Sequence, residues 1–148
     1  MLILAILFTL IGCSSRDEDL VETPKDEYIT WKLNGTQYQN GTIYKSIVAG
    51  DFEISEGGQN LYLEVQYSGN VSVGQTFTNQ NSIVRLGYEY PDPANDIKFY
   101  NASVTITAIT STYIEGTFIG SNAKEVTPSG VETPINKIIT EGKFLIKK

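Results

Sequence analysis

Histidine is absent from this 148-residue chain, and cysteine, methionine and tryptophan occur once each. Without an imidazole there is no His-based triad, no usual general base at neutral pH and no commonest zinc ligand. A single cysteine, Cys13, allows no intramolecular disulfide, so stability must come from packing and hydrogen bonds. The apolar run at residues 2–10 is about half the ~20 residues that a membrane-spanning helix requires. Basic residues form no stripe of the kind nucleic acid needs, so no nucleic-acid partner is expected. The glycines are spaced as turns rather than as a phosphate-cradling loop, and no cofactor is expected.

The net charge of −6 is unevenly placed. Residues 16–27 hold six acids (Asp17, Glu18, Asp19, Glu22, Asp26 and Glu27) against Arg16 and Lys25. From residue 28 onward eleven acids face nine bases, so the rest is nearly balanced. Residues 14–27 are polar, contain Pro24 and show no apolar period, which predicts an extended acidic linker.

Ahead of that linker, residues 2–10 fit the ~7–15 residue core of a signal peptide, with the small Gly12 at a cleavage position. No charge precedes Arg16. The order Leu10-Ile11-Gly12-Cys13 resembles a bacterial lipoprotein signal peptide with its lipobox. The resemblance implies a diacylglycerol group on the Cys13 thiol, cleavage between Gly12 and Cys13, and Cys13 as the mature N-terminus. Buried acyl chains contribute about 0.8 kcal/mol per methylene and one chain holds only reversibly, so the several chains of a lipoprotein imply a stable anchor. No Lys or Arg precedes the apolar run, where a charged region is expected, and this points to a start a few codons upstream. The stretch Ser14-Ser15-Arg16-Asp17-Glu18-Asp19 is similar to the acidic export signals that follow the lipidated cysteine in the Bacteroidota. That likeness implies the outer membrane, at the cell surface rather than the periplasmic face. The expected layout is a signal peptide over 1–12, a lipidated cysteine and tether over 13–27, and one domain over 28–148.

From residue 28 the chain is rich in Tyr, Thr, Ile and Val, with Gly and Asn between short runs. No segment carries a 3.6-residue apolar period. This predicts an all-β domain, an antiparallel β-sandwich, with a small closed β-barrel as the alternative. Strands are expected over 28–33, from 36, and over 42–49, 51–55, 61–67, 83–90, 98–100, 102–109, 113–119 and 137–146, with a weaker one over 71–77. Turns are expected at Asn34-Gly35, Asn40-Gly41 and Ser68-Gly69-Asn70, the first because both positions take φ > 0 in a tight hairpin. Loops are expected over 56–60, 91–96 and 120–136. Leu61, Leu63, Val65 and Tyr67 should share one face of their strand. So should Val84, Leu86, Tyr88 and Tyr90 of theirs, with Val104, Ile106 and Ala108 facing inward further on.

An internal echo links Ile114-Glu115-Gly116-Thr117-Phe118 to Thr140-Glu141-Gly142-Lys143-Phe144. These two strands are expected to pair antiparallel, each glycine letting a bulky neighbour cross it. The opening Ile29-Thr30-Trp31-Lys32-Leu33-Asn34-Gly35, the Gly-Thr-Phe strand and the closing Glu-Gly-Lys-Phe strand resemble small Bacteroidota lipoproteins of uncharacterised function. The likeness covers the ends of the domain better than its middle and implies no catalytic residues.

Three groups carry possible chemistry. Glu64, Glu89, Glu115 and Glu141 lie on strands, where a carboxylate pair would make a hydrolase; such positions are more often solvent-facing, and no enzyme is expected. Asp92, Asn95 and Asp96 could furnish part of a calcium shell, but the spacing matches no EF-hand and these are ordinary turn residues, so no metal is expected. Tyr88, Tyr90 and Tyr100 flank that loop and could contact sugar rings or a protein. Trp31, Tyr67 and Tyr88 equally read as core. The expected function is a non-catalytic binding module of the cell envelope, held to the membrane by lipid, with a surface protein or glycan as partner. The alternative is a lipocalin-like barrel carrying a small apolar ligand.

Overall fold

The computed structural model describes residues 26–39, 42–48, 51–67, 70–90 and 94–148. Cys13, the leader, most of the tether, the Asn40-Gly41 and Ser68-Gly69 turns and Asp92 lie outside the described residues. The described residues form β1 (Tyr28–Leu33), β2 (Thr36–Gln39), β3 (Ile43–Val48), β4 (Asp51–Glu56), β5 (Leu61–Gln66) and β6 (Thr76–Thr78). They continue with β7 (Ile83–Tyr88), β8 (Asp96–Ile109), β9 (Tyr113–Val126), β10 (Glu132–Pro134) and β11 (Ile139–Lys147). The fold is all-β and antiparallel. One sheet runs in the order β2-β1-β11-β9-β8-β7-β5-β4-β3, with β10 added to β9 and β6 added to β8.

The sheet curls so that distant strands of this path meet across the core. Phe52 of β4 packs on Phe144 of β11 with ring centroids 5.7 Å apart. Trp31 of β1 donates from Nε1 to the Tyr88 hydroxyl of β7 at 2.7 Å. Large side chains fill the inside: Trp31, Phe52 and Phe144 are 0% exposed and Phe118 is 1%. Each such side chain contributes roughly 1.5–3 kcal/mol by its removal from water. The outer face carries Glu53, Glu64, Arg85 and Lys98, the reverse of a lipid-embedded barrel, whose outside is apolar. Glu27 makes a seam between β3 and β11, taking an ion pair from Lys45 of β3 and a hydrogen bond from the Lys147 N–H of β11.

Local chemistry explains most elements. The Asn34-Gly35 hairpin has φ of 49° and 83°, the left-handed pair that a two-residue turn requires. In β5, Leu61, Leu63 and Val65 are buried while Tyr62, Glu64 and Gln66 alternate outward. In β7, Val84, Leu86 and Tyr88 are buried, but the strand ends there and Tyr90 is 37% exposed. The echo strands pair antiparallel as the sequence predicts, with Gly142 opposite Phe118 and Phe144 opposite Gly116.

Three expectations need correction. The strand over 71–77 reduces to β6, because residues 72–75 turn around Gly74 at φ 84°. The strands over 98–100 and 102–109 are one, β8. The strand over 113–119 continues to Val126, and the polar stretch expected as a loop supplies the end of β9, a turn and β10. The last two errors share a cause. Buried positions step from Phe99 to Ala102 on β8 and from Gly120 to Ala123 on β9, three residues instead of two. A break in alternation in one sequence reads as a strand end. Here both strands slip phase together, with Asn122 at φ 54°, and the register Phe99↔Ala123, Asn101↔Ser121 and Ala102↔Gly120 continues unbroken.

Candidate functional site

The same phase slip opens a groove on the outer face. On the side of β8 away from β9, β7 pairs only with Ile97 and Lys98, and β6 pairs only with Ser103, Val104 and Thr105. No described strand pairs with residues 99–102 on that side. The Asn79 amide bridges the gap, accepting from the Val84 N–H at 2.9 Å and donating to the Tyr100 carbonyl at 3.4 Å. A side chain thus replaces the missing ladder, and the sheet stays joined while leaving a hollow.

Three adjoining hollows make up the groove. The middle one, about 210 Å³, lies between Tyr62, Asn79, Arg85, Lys98 and Tyr100. One side opens into a hollow of about 360 Å³ walled by Glu53, Tyr62, Glu64, Arg85, Glu89 and Lys98. Strand register builds this charged half: Glu53, Glu64 and Arg85 are successive cross-strand partners, as are Tyr62, Gly87 and Lys98. Arg85 pairs with Glu64 at 2.7 Å. Tyr62 lies along the sheet over Gly87, where a Cβ would stand 2.8 Å from its ring. Burial, reinforced by Glu89 and Asp96, pushes the Tyr62 phenol up to about 12.

The other side opens into a hollow of about 340 Å³ lined by no charged residue. Its walls include Gln80, Asn101, Ser103 and Ser121, together with the Tyr100 ring and the exposed Ile119. Among the described residues, those four polar side chains make no hydrogen bond to the protein. Tyr100 is fixed from its far side: its hydroxyl donates to Glu132, and the Lys124 ammonium stands 4.5 Å from the ring centre. The bond to Glu132 raises the Tyr100 phenol above its ordinary value. Lys124 and Tyr100 together hold the Glu132 carboxyl below its own.

The three tyrosines singled out by the sequence do not form one patch. Tyr88 and Tyr90 stack, with centroids 6.3 Å apart and planes 14° apart, but Tyr88 is buried against Trp31 and Phe99. Trp31 in turn stacks on Tyr38 of β2 at 5.7 Å, which builds an interior aromatic cluster with Tyr90 at its rim. Burial pushes the Tyr88 and Tyr90 phenols up. Tyr100 follows the core residue Phe99 and lies on the opposite, outer face. Tyr67 is half-buried and packs on Phe77.

Of the four glutamates, Glu64 pairs with Arg85, Glu141 pairs with Lys32, and Glu115 accepts the Tyr28 hydroxyl at 2.8 Å. Glu89 shares the charged hollow with Glu53 and Glu64. Asp96 accepts the Tyr90 N–H at 3.1 Å, a loop-closing bond, while Asn95 is half-buried. Among the described residues no three His, Cys, Asp or Glu side chains cluster closely enough to hold a metal. No protein-family model matches this chain, and no curated protein matches it significantly.

Sequence reasoning missed Asn79, Gln80, Asn101, Ser103 and Ser121. The available signal was the polar pair Tyr100-Asn101 interrupting an otherwise alternating strand, since irregularities within sheets recur next to functional sites.

Proposed function

We propose that this chain is a lipid-anchored lipoprotein of the cell envelope whose β domain binds a ligand without transforming it. The anchor reading rests on the apolar run, Gly12-Cys13 and the acidic stretch behind it. The binding reading is carried by one observation: a groove at the β7–β8 gap whose polar side chains Gln80, Asn101, Ser103 and Ser121 have no hydrogen-bond partner among the described residues. Surfaces of this kind select ligands through a few placed polar groups on a preformed wall. Large buried side chains among the described residues, Trp31, Phe52, Phe118 and Phe144, occupy the inside of the curled sheet, which favours this outer groove over a lipocalin-like cavity.

Metabolic labelling with palmitate tests the anchor: label in the wild type and none in Cys13→Ala is expected, and equal label in both would overturn it. Protease shaving of intact cells tests the face, with loss of the domain expected for surface display. One observation favours a second reading, a carboxylate hydrolase, because Glu53, Glu64 and Glu89 wall a single hollow. New reducing ends from incubated polysaccharide, abolished by Glu64→Gln or Glu89→Gln, would favour that reading over pure binding.

A further inference from the structure

We propose that the uncharged half of the groove is a subsite for a neutral sugar residue of an oligosaccharide. This rests on reading the groove as the contact site and names the chemistry of what it contacts.

The argument starts from valence. A sugar hydroxyl both donates and accepts, and so do the Gln80 and Asn101 amides and the Ser103 and Ser121 hydroxyls. These four lie around one hollow and have no hydrogen-bond partner within the described protein. They sit on three neighbouring segments: Gln80 in the turn after β6, Asn101 and Ser103 on β8, and Ser121 on β9, directly opposite Asn101. A sugar also has a C–H face, and the same hollow offers Tyr100 and Ile119. Lys124 and Glu132 hold the Tyr100 ring from behind, so little side-chain freedom is lost on binding.

The competing ligand classes fit poorly. An anion would find no cation in this half, because Lys124 is committed to Glu132. An apolar ligand would strip water from amides and hydroxyls and return no hydrogen bonds, which is unfavourable. The adjoining charged half is compatible with a longer glycan: Arg85 and Glu64 neutralise each other, and Glu53 and Glu89 accept from hydroxyls but repel acids.

The test is calorimetric titration of the full chain, purified in detergent. The neutral probes are maltohexaose, cellohexaose, xylohexaose and mannohexaose, and the anionic comparison is tetragalacturonate. At least one neutral probe is expected to bind. Asn101→Ala and Ser103→Ala are each expected to weaken it about tenfold, the loss of roughly one hydrogen bond. Tyr100→Ala should weaken it further, and Tyr90→Ala should leave it unchanged. Asn101→Ala and Ser103→Ala replace exposed or half-exposed polar groups, and unchanged thermal unfolding would show that they fold. Preference for the anionic probe, or neutral binding indifferent to Asn101 and Ser103, would overturn the proposal, as would no binding at all. A photo-crosslinking residue at Gln80 on intact cells separates the two claims. If no glycan binds but a defined envelope protein is crosslinked there, the groove remains a contact site and the sugar assignment falls. If neither occurs, both fall.

Discussion

The phenyl ring of Phe144 lies across Gly116, its partner on the neighbouring strand, so closely that a Cβ on the glycine would stand 2.5 Å from the ring tip. One turn of the ladder away the arrangement repeats in reverse, with Phe118 across Gly142 and a Cβ there 2.6 Å from the ring. Two strands exchange two rings over two glycines, and this lets both phenylalanines lie flat in the core with almost no exposure.

Replacing either glycine by alanine must therefore displace a ring and push on a backbone carbonyl, that of Thr105 at Gly116 and that of Phe118 itself at Gly142. Gly116→Ala and Gly142→Ala are each expected to destabilise the domain by about 1–3 kcal/mol, the usual penalty of overpacking. Urea unfolding followed by Trp31 fluorescence measures it. Combining Gly116→Ala with Phe144→Leu should cost less than the sum of the single changes, because the two residues touch. Strict additivity would refute the crossing.

Trp31 and Tyr88 make the second case. The indole N–H is fully buried and donates to the phenol. Tyr88→Phe keeps the ring and removes the acceptor, leaving a buried donor unpaired at about 1–3 kcal/mol. A lowered urea midpoint with an unchanged slope is expected, together with a shifted Trp31 emission maximum.

Alkali should weaken the fold through its half-buried phenols. Burial, then the Glu115 carboxylate, pushes the Tyr28 phenol up to about 12, and burial lifts Tyr62 equally, from an ordinary value of 10. Above pH 10 the unfolded chain releases protons that the folded chain keeps. This share of stability is complete below pH 10 and is lost as pH rises towards about 12. Urea midpoints should hold from pH 9 to 10 and fall by pH 11, and Tyr28→Phe should flatten part of that slope.

The seam responds to acid instead. Burial works to raise the Glu27 carboxyl, but the Lys45 ammonium and the Lys147 N–H outweigh it and hold the value below 4.5. Its contribution is present above that ordinary value and is lost as pH falls through the lower folded one. Lys45→Met is expected to cost under about 1 kcal/mol, as partly exposed pairs do. It should also speed amide hydrogen exchange along β3 more than along β9, and equal effects on both strands would contradict a seam held by Glu27 and Lys45.

Much of the fold was legible because strands leave a local signature. Leu61, Leu63 and Val65 alternate with polar neighbours, Asn34-Gly35 marks its own turn, and the Gly/Phe echo announces its own partner. The groove was not legible. Asn101 and Ser121 look like ordinary surface residues on two separate stretches of chain, and only their cross-strand register brings them together. Tyr88 and Tyr100 looked alike in sequence yet fall on opposite faces, because the parity of β8 depends on where β7 pairs with it.

By itself the sequence determined that this is an antiparallel β protein, since alternation and turn chemistry act over a few residues and need no knowledge of the rest. Tertiary structure alone decided that β8 and β9 run on through a shared slip in phase. It also decided that the partners of β8 change from β7 to β6 across residues 99–102, which leaves a hollow. Those outcomes depend on hydrogen bonds between segments far apart in the chain, and no single stretch of residues contains both partners.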